Sequence, residues 1–168
     1  MIAAVVLAAG ASTRFGSPKQ RLLLEPVLER VRAATSPGEI VVVLGAHAVE
    51  TSARTVRCPD WALGPGASLR CGLAALPAEA EAAVIVLADG PQLAPAAIDR
   101  VVAVWNESGA PFLAASYGGV RSHPALLART AWNDIPDEGA RALDPLLVPC
   151  DDLGTPGDVD YPADLAVG

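Results

Sequence analysis

A chain of 168 residues with 52% hydrophobic and 18% charged side chains has the size and composition of one folded domain spanning 1–168, and this excludes a disordered chain. Its net charge of −7 argues against broad binding to nucleic acid or an anionic membrane, while leaving room for a local basic pocket. The three cysteines, Cys58, Cys71 and Cys150, are odd in number and follow no C-x-x-C spacing. They predict neither a disulfide framework nor a zinc site, and they fit a reducing cytoplasm.

Met1 to Ala9 is apolar but lacks a basic flank and is too short to span a bilayer. It reads as a strand, Ile2 to Leu7, buried on both faces as in a parallel sheet. Leu22 to Ala34 follows with helical periodicity, placing Leu24, Val27, Leu28 and Val31 on one face. Ile40 to Leu44, ending at Gly45, is a second apolar strand. Ala67 to Leu76 reads as a helix, Ala83 to Leu87 as a third strand, and Pro95 to Trp105 as a helix with proline in its first turn. Phe112 to Ala115 and Leu146 to Val148 are weaker strands. Alternating strands and helices predict an α/β domain with a mainly parallel sheet covered on both faces. Such folds bind ligands at the carboxyl ends of their strands, so the residues just after each strand are the informative ones.

The first strand runs into Ala8-Ala9-Gly10-Ala11-Ser12-Thr13-Arg14-Phe15-Gly16-Ser17-Pro18-Lys19-Gln20. Small residues let a backbone turn sharply, and successive N–H groups in such a turn cradle an anion. Arg14 and Lys19 add positive charge, and Lys19 is the one lysine beside eleven arginines. The loop is neither a Walker A loop nor a G-x-G-x-x-G fingerprint. Phosphate binding and a plain strand-to-helix turn both fit these residues. Gly64 and Gly66 permit close approach to a ligand, and Ser68 offers a hydroxyl to a base edge or a helix cap. Asp89, at the end of the third strand, stands where a magnesium carboxylate belongs and where an aspartate also shapes a turn.

Leu7-Ala8-Ala9-Gly10, Arg14-Phe15-Gly16 and Pro18-Lys19 together resemble the signature L-A-A-G-x-x-x-R-F-G-x-P-K of the MobA/MocA-like NTP transferases of molybdenum cofactor biosynthesis. The resemblance extends to Gly64 through Leu73, to Leu87-x-Asp89-x-Pro91, to Arg121-Ser122-His123-Pro124 before an expected helix, to Asp137 through Arg141, and to Asp158 through Leu165. It implies a three-layer α/β/α, Rossmann-like nucleotidyltransferase fold with a mixed, mainly parallel sheet. The activity implied is magnesium-dependent transfer of CMP from CTP to a phosphorylated acceptor, molybdopterin, with release of pyrophosphate.

By the same resemblance Lys19 and Arg14 act on the triphosphate. Leu7, Ala8, Ala9, Gly10, Ala11 and Ser12, with Gly66, Ser68 and Asp89, hold the nucleotide. Asp89 and Asp160 hold Mg2+, with Asp158 beside Asp160 as a second carboxylate, and His123 and Arg141 stand on the acceptor side. A molybdoenzyme is the implied partner. Guanylyl transfer, transfer to another phosphorylated small molecule, and a non-catalytic nucleotide-binding or cofactor-chaperone subunit are the alternatives. The departures are Ser122 in place of glycine and shortened stretches at 20–25 and 47–61, the second implying a reduced strand-and-turn unit.

Overall fold

The computed structural model describes residues 1–10 and 20–158. Its elements in chain order are β1 (Ile2–Ala8), α1 (Gln20–Ala33), β2 (Pro37–Leu44), β3 (Arg54–Arg57), α2 (Pro65–Ala74), β4 (Ala82–Leu87), α3 (Pro95–Ser108), β5 (Phe112–Tyr117), β6 (Val120–Ala128) and β7 (Leu146–Pro149), with short 3-10 turns between them. The strands form one mixed sheet in the order β3-β2-β1-β4-β6-β5-β7. β1 pairs in parallel with both β2 and β4, and β6 is antiparallel to β4 and to β5.

The apolar runs are continuous because the sheet is covered on both sides. Ala3, Val5, Val41, Val43 and Ile85 face α2, where Leu69 and Leu73 meet them. Ala4, Val6, Val42, Val84 and Val86 face α1 and α3, against Leu24, Leu28, Ile98 and Val101. Successive side chains of a strand point to opposite faces, so a strand buried on both needs apolar residues at every position. The predicted face of α1 holds: Leu24, Val27, Leu28 and Val31 are each at most 1% exposed. α2 lies close on the sheet at Gly72, where a β-carbon would stand 2.5 Å from Val5 Cγ1 and 2.8 Å from Val43 Cγ2.

The stretch between His47 and Trp61, expected to hold a reduced strand-and-turn unit, carries β3, an edge strand of four residues. Two expectations are corrected. Arg121-Ser122-His123-Pro124 does not precede a helix but lies inside β6. Cys58 and Cys71 are joined in a disulfide with a Cα–Cα distance of 5.9 Å, which ties the chain just after β3 to α2. Linear spacing hid that pair, because β3 and α2 meet only once β3 has docked at the sheet edge. Cys150 is free and buried. No helix among the described residues is long and apolar enough to cross a membrane.

Chain order and sheet order together create the site. From β1 the chain steps outward through β2 to β3, then returns across β1 to β4. Ligands of open α/β sheets collect at the carboxyl ends of the strands beside such a reversal. Because β6 runs against β4, it brings its amino-terminal half, Arg121 to His123, to the edge where β1 and β4 end.

Candidate functional site

β4 ends at Leu87, and the turn after it carries Asp89. The β4–β6 ladder ends at Ile85 opposite Ala125. Pro124 has no N–H to continue it. Beyond that point the Leu87 N–H donates to His123 Nδ1 at 3.4 Å. The imidazole is 5% exposed, and its Nε2 stands 3.0 Å from Asp158 Oδ1. Its backbone is also held, since Tyr117 Oη donates to the His123 carbonyl at 3.1 Å. Burial is the largest of the influences that push the Tyr117 phenol up to about 12, so it serves as a donor at neutral pH.

Asp158 arrives on a segment pinned along its length. Arg100 of α3 grips Asp152 through both guanidinium nitrogens, at 2.6 and 2.8 Å. The Arg100 hydrogen bond holds the Asp152 carboxyl down to about 2. Asp151 accepts from the Gly118 N–H. The Gln92 N–H donates to the Pro156 carbonyl at 2.9 Å, joining the turn after β4 to the residues just before Asp158. Gly90 and Pro156 close on the histidine ring: a β-carbon at Gly90 would lie 2.7 Å from His123 Cε1 and 2.9 Å from Pro156 Cβ. The outcome is a cluster in which one ligand atom each from Asp89, His123 and Asp158 lies within 4.8 Å of the others. Its carboxylate oxygens are hard donors of the kind that suit Mg2+ or Mn2+.

Beside this cluster is a cavity of about 360 Å³ on the α2 side of the sheet. Leu7, Ile85, Phe112 and Ala125 contribute apolar surface, while Arg121, His123, Glu138, Arg141 and Asp158 contribute polar groups. One wall is the irregular segment 135–143, held by two arginines. Arg70 of α2 donates to the Ile135 carbonyl at 2.7 Å and to Asp137 at 2.5 Å. Arg121 of β6 donates to the Leu143 carbonyl at 2.7 Å and the Ala140 carbonyl at 3.0 Å. The cavity therefore has an apolar body for part of a ligand and a polar rim next to the carboxylates.

Among the residues expected from the sequence, Asp89 and His123 come together, with Asp158 as the described C-terminal carboxylate. His123, Arg141 and Leu7 line the cavity. Ala8, Ala9 and Gly10 follow directly at the carboxyl end of β1. Gly66 and Ser68 are buried near the start of α2 and do not line the cavity. The Gly66 N–H instead donates to the Asp137 carbonyl at 2.9 Å. Ala11, Ser12, Arg14, Lys19 and Asp160 lie outside the described residues. Sequence reasoning gave no role to Arg121, Arg70 or Tyr117. The alternation of β6 would have pointed Arg121 and His123 the same way, but a polar, proline-containing half-strand does not read as a strand.

The sequence matches the MobA-like NTP transferase domain over residues 4–144. Among curated proteins none matches in sequence. Among solved structures the chain is similar to Rv0371c from Mycobacterium tuberculosis H37Rv, with 29% identity, a TM-score of 0.77, and coverage of 99% of this chain and 97% of that one. A structure of Rv0371c in complex with manganese matches at 28% identity and a TM-score of 0.76, covering 99% and 96%. Molybdopterin-guanine dinucleotide biosynthesis protein A from Archaeoglobus fulgidus shares the fold at 17% identity and a TM-score of 0.72, again covering 99% and 96%. Nucleotidyltransferases of this kind bind a nucleoside triphosphate and a phosphorylated acceptor, and they use a divalent metal. With the match running from β1 past the cavity wall at 138–141, the chain belongs to the MobA-like NTP transferase family and is a nucleotidyltransferase.

Proposed function

We propose that the chain transfers CMP from CTP to the phosphate of molybdopterin or its molybdenum-loaded form and passes the product to a molybdoenzyme. One observation carries the reading: Asp89, His123 and Asp158 gather at the end of β4, against a cavity that opens beside the end of β1. The loop that follows β1 carries Arg14 and Lys19 in a signature similar to that of cytidylyltransferases of this family.

In the reaction an acceptor phosphate oxygen attacks the α-phosphorus of CTP. A new P–O bond forms, the bond to the bridging oxygen breaks, and pyrophosphate leaves with the electron pair. No protein nucleophile is needed, so the work is positioning and charge neutralisation. Lys19 and Arg14 neutralise the triphosphate, and the backbone from Leu7 through Ala8, Ala9, Gly10, Ala11 and Ser12 seats it. Asp89, with Asp158 or Asp160, would hold Mg2+, which supplies further neutralisation of phosphate charge when bound. Arg141 and the polar rim face the acceptor. Gly66 and Ser68 reach the base only if the Pro136–Asp137 backbone shifts on binding, because Gly66 is packed beneath it.

The test is pyrophosphate release from CTP in the presence of molybdopterin and Mg2+. Release in step with formation of the cytosine dinucleotide is expected. Lys19→Ala should slow it by about 10²- to 10³-fold, the usual cost of removing one preorganised charge-stabilising donor, without altering the circular dichroism spectrum. Wild-type turnover by that variant would remove Lys19 from the mechanism, and no release by the native chain would remove the reaction.

A further inference from the structure

Resting on the reading of Asp89 and Asp158 as carboxylates that hold the divalent ion, we propose that His123 is a positioning residue. It keeps its proton on Nε2, donates it to Asp158, and so aims that carboxylate at Asp89 without itself binding the ion.

Distance alone would admit His123 as a third ligand, since its nitrogen lies within 4.8 Å of both carboxylates. The hydrogen bonds decide otherwise. A ligating imidazole nitrogen must offer its lone pair to the ion, and a neutral ring has one such nitrogen, the other carrying the proton. The Leu87 N–H points at Nδ1 from 3.4 Å. A backbone N–H only donates, so Nδ1 spends its lone pair there. The proton therefore sits on Nε2, and Asp158 Oδ1 receives it at 3.0 Å. A half-turn of the ring would put carbon atoms against both the Leu87 N–H and the Asp158 carboxylate, losing both bonds. The network thus fixes tautomer and orientation together.

The setting is rigid enough for this task. The ring is 5% exposed and is flanked by Gly90 and Pro156, and the Tyr117 hydroxyl holds the His123 backbone carbonyl. Asp158, by contrast, is an exposed side chain on an irregular segment. A carboxylate that accepts one hydrogen bond still has lone pairs for a cation. Hydrogen-bonding partners of ligating carboxylates commonly govern affinity by 10- to 100-fold when removed. His123 is the buried fixed point that aims the exposed carboxylate.

The experiment follows Mn2+ binding to the full chain by the electron paramagnetic resonance of free Mn2+, in wild type, Asp89→Asn, His123→Leu and His123→Gln. Leucine fills the space without a donor, whereas glutamine carries an N–H that can reach the place of Nε2. Asp89→Asn and His123→Leu should each weaken Mn2+ by about 10-fold or more, and His123→Gln should recover most of the affinity. In parallel, 15N-histidine spectra of wild type should show the one-bond proton coupling on Nε2 both before and after Mg2+ is added. Loss of that proton on adding Mg2+, or a proton on Nδ1, would overturn the proposal even if His123→Leu failed to fold. Wild-type Mn2+ affinity in His123→Leu, with Asp89→Asn impaired, would overturn it while leaving the metal-holding carboxylates intact. Mn2+ binding that is absent from wild type, or unchanged by Asp89→Asn, would bring down the underlying reading and this proposal with it.

Discussion

At Gly90 the chain has no room for a methyl group, and the neighbours that forbid it belong to the site. A β-carbon there would meet His123 Cε1 at 2.7 Å, His123 Nε2 at 2.9 Å and Pro156 Cβ at 2.9 Å. None of these is the free end of a flexible side chain. Gly90→Ala should therefore cost about 1–3 kcal/mol through overpacking and lower the melting temperature by roughly 2–12 °C. Thermal denaturation followed by circular dichroism checks this, and an unchanged melting point would mean that the ring and Pro156 yield freely. The same residue shows how far the site could be read in advance. Asp89-Gly90-Pro91 at a strand end marked the carboxylate from sequence alone. The glycine's second purpose, making room for a histidine 33 residues further on, needed β6 to be in place.

At the scale of elements, the strands that were legible are those buried on both faces. β1, β2 and β4 announce themselves as unbroken apolar runs because each position contacts one helical layer or the other. β3 was legible only as a reduced unit of unplaced bounds, and β6 not at all, for different reasons. β3 is an edge strand of four residues with arginine at both ends, and edge strands carry charge. β6 opens with Val120-Arg121-Ser122-His123-Pro124, whose polar residues serve the site and the cavity wall rather than the core. The disulfide is a third case, since nothing in a spacing of 13 residues distinguishes a bonded pair from two free thiols. Closing a loop of that length restricts the unfolded chain by about 3 kcal/mol. A phosphine reductant should then lower the melting temperature of the native chain by roughly 6–12 °C. It should have no effect on Cys71→Ala. A native melting curve indifferent to reductant would contradict the bond in solution.

A second tie between elements is electrostatic. Asp99 of α3 accepts from the Thr35 and Ser36 N–H groups and from the Ser36 hydroxyl at 2.6 Å, fastening the turn between α1 and β2. Burial pushes this carboxyl up, but the Ser36 and Thr35 hydrogen bonds outweigh it, and the net direction is below the usual 3.8. A carboxyl that is more acidic folded than unfolded stabilises the fold above its unfolded pKa, and that contribution disappears as pH falls through the folded value. Asp99→Ala should destabilise the chain by about 1–3 kcal/mol at pH 7, the range for a partly buried hydrogen-bonded carboxylate. The difference from wild type should begin to shrink as pH drops below about 4, where the unfolded carboxyl protonates, and be lost as pH falls through the lower folded value. Denaturant titrations at several pH values measure this, and a pH-independent difference would assign the loss to packing.

For the whole molecule, sheet order is what brings the candidate site together. The return across β1 to β4 opens the crevice, the reversed β6 supplies its histidine and arginine, and the C-terminal segment, clipped to α3 by Arg100, supplies a carboxylate. The parallel half of this plan was legible from the alternation of strands and helices, and the signature after β1 pointed to the chemistry. The family resemblance implied that Asp89 and a carboxylate at 158–160 meet, but that His123 joins Asp89 and Asp158 was not legible, because only the mixed topology sets β6 against β4. The measurement that bears most directly on the account is the melting temperature of the native chain with CTP, GTP, ATP and UTP, each with and without Mg2+. A ligand that binds only the folded state stabilises it by mass action, by about 2.7 kcal/mol at a hundredfold excess over Kd. Cytidylyl transfer at this site requires stabilisation that depends on Mg2+ and is largest with CTP. Preference for GTP would contradict the choice of base, and no shift with any nucleotide at millimolar concentration would contradict nucleotide transfer by this site.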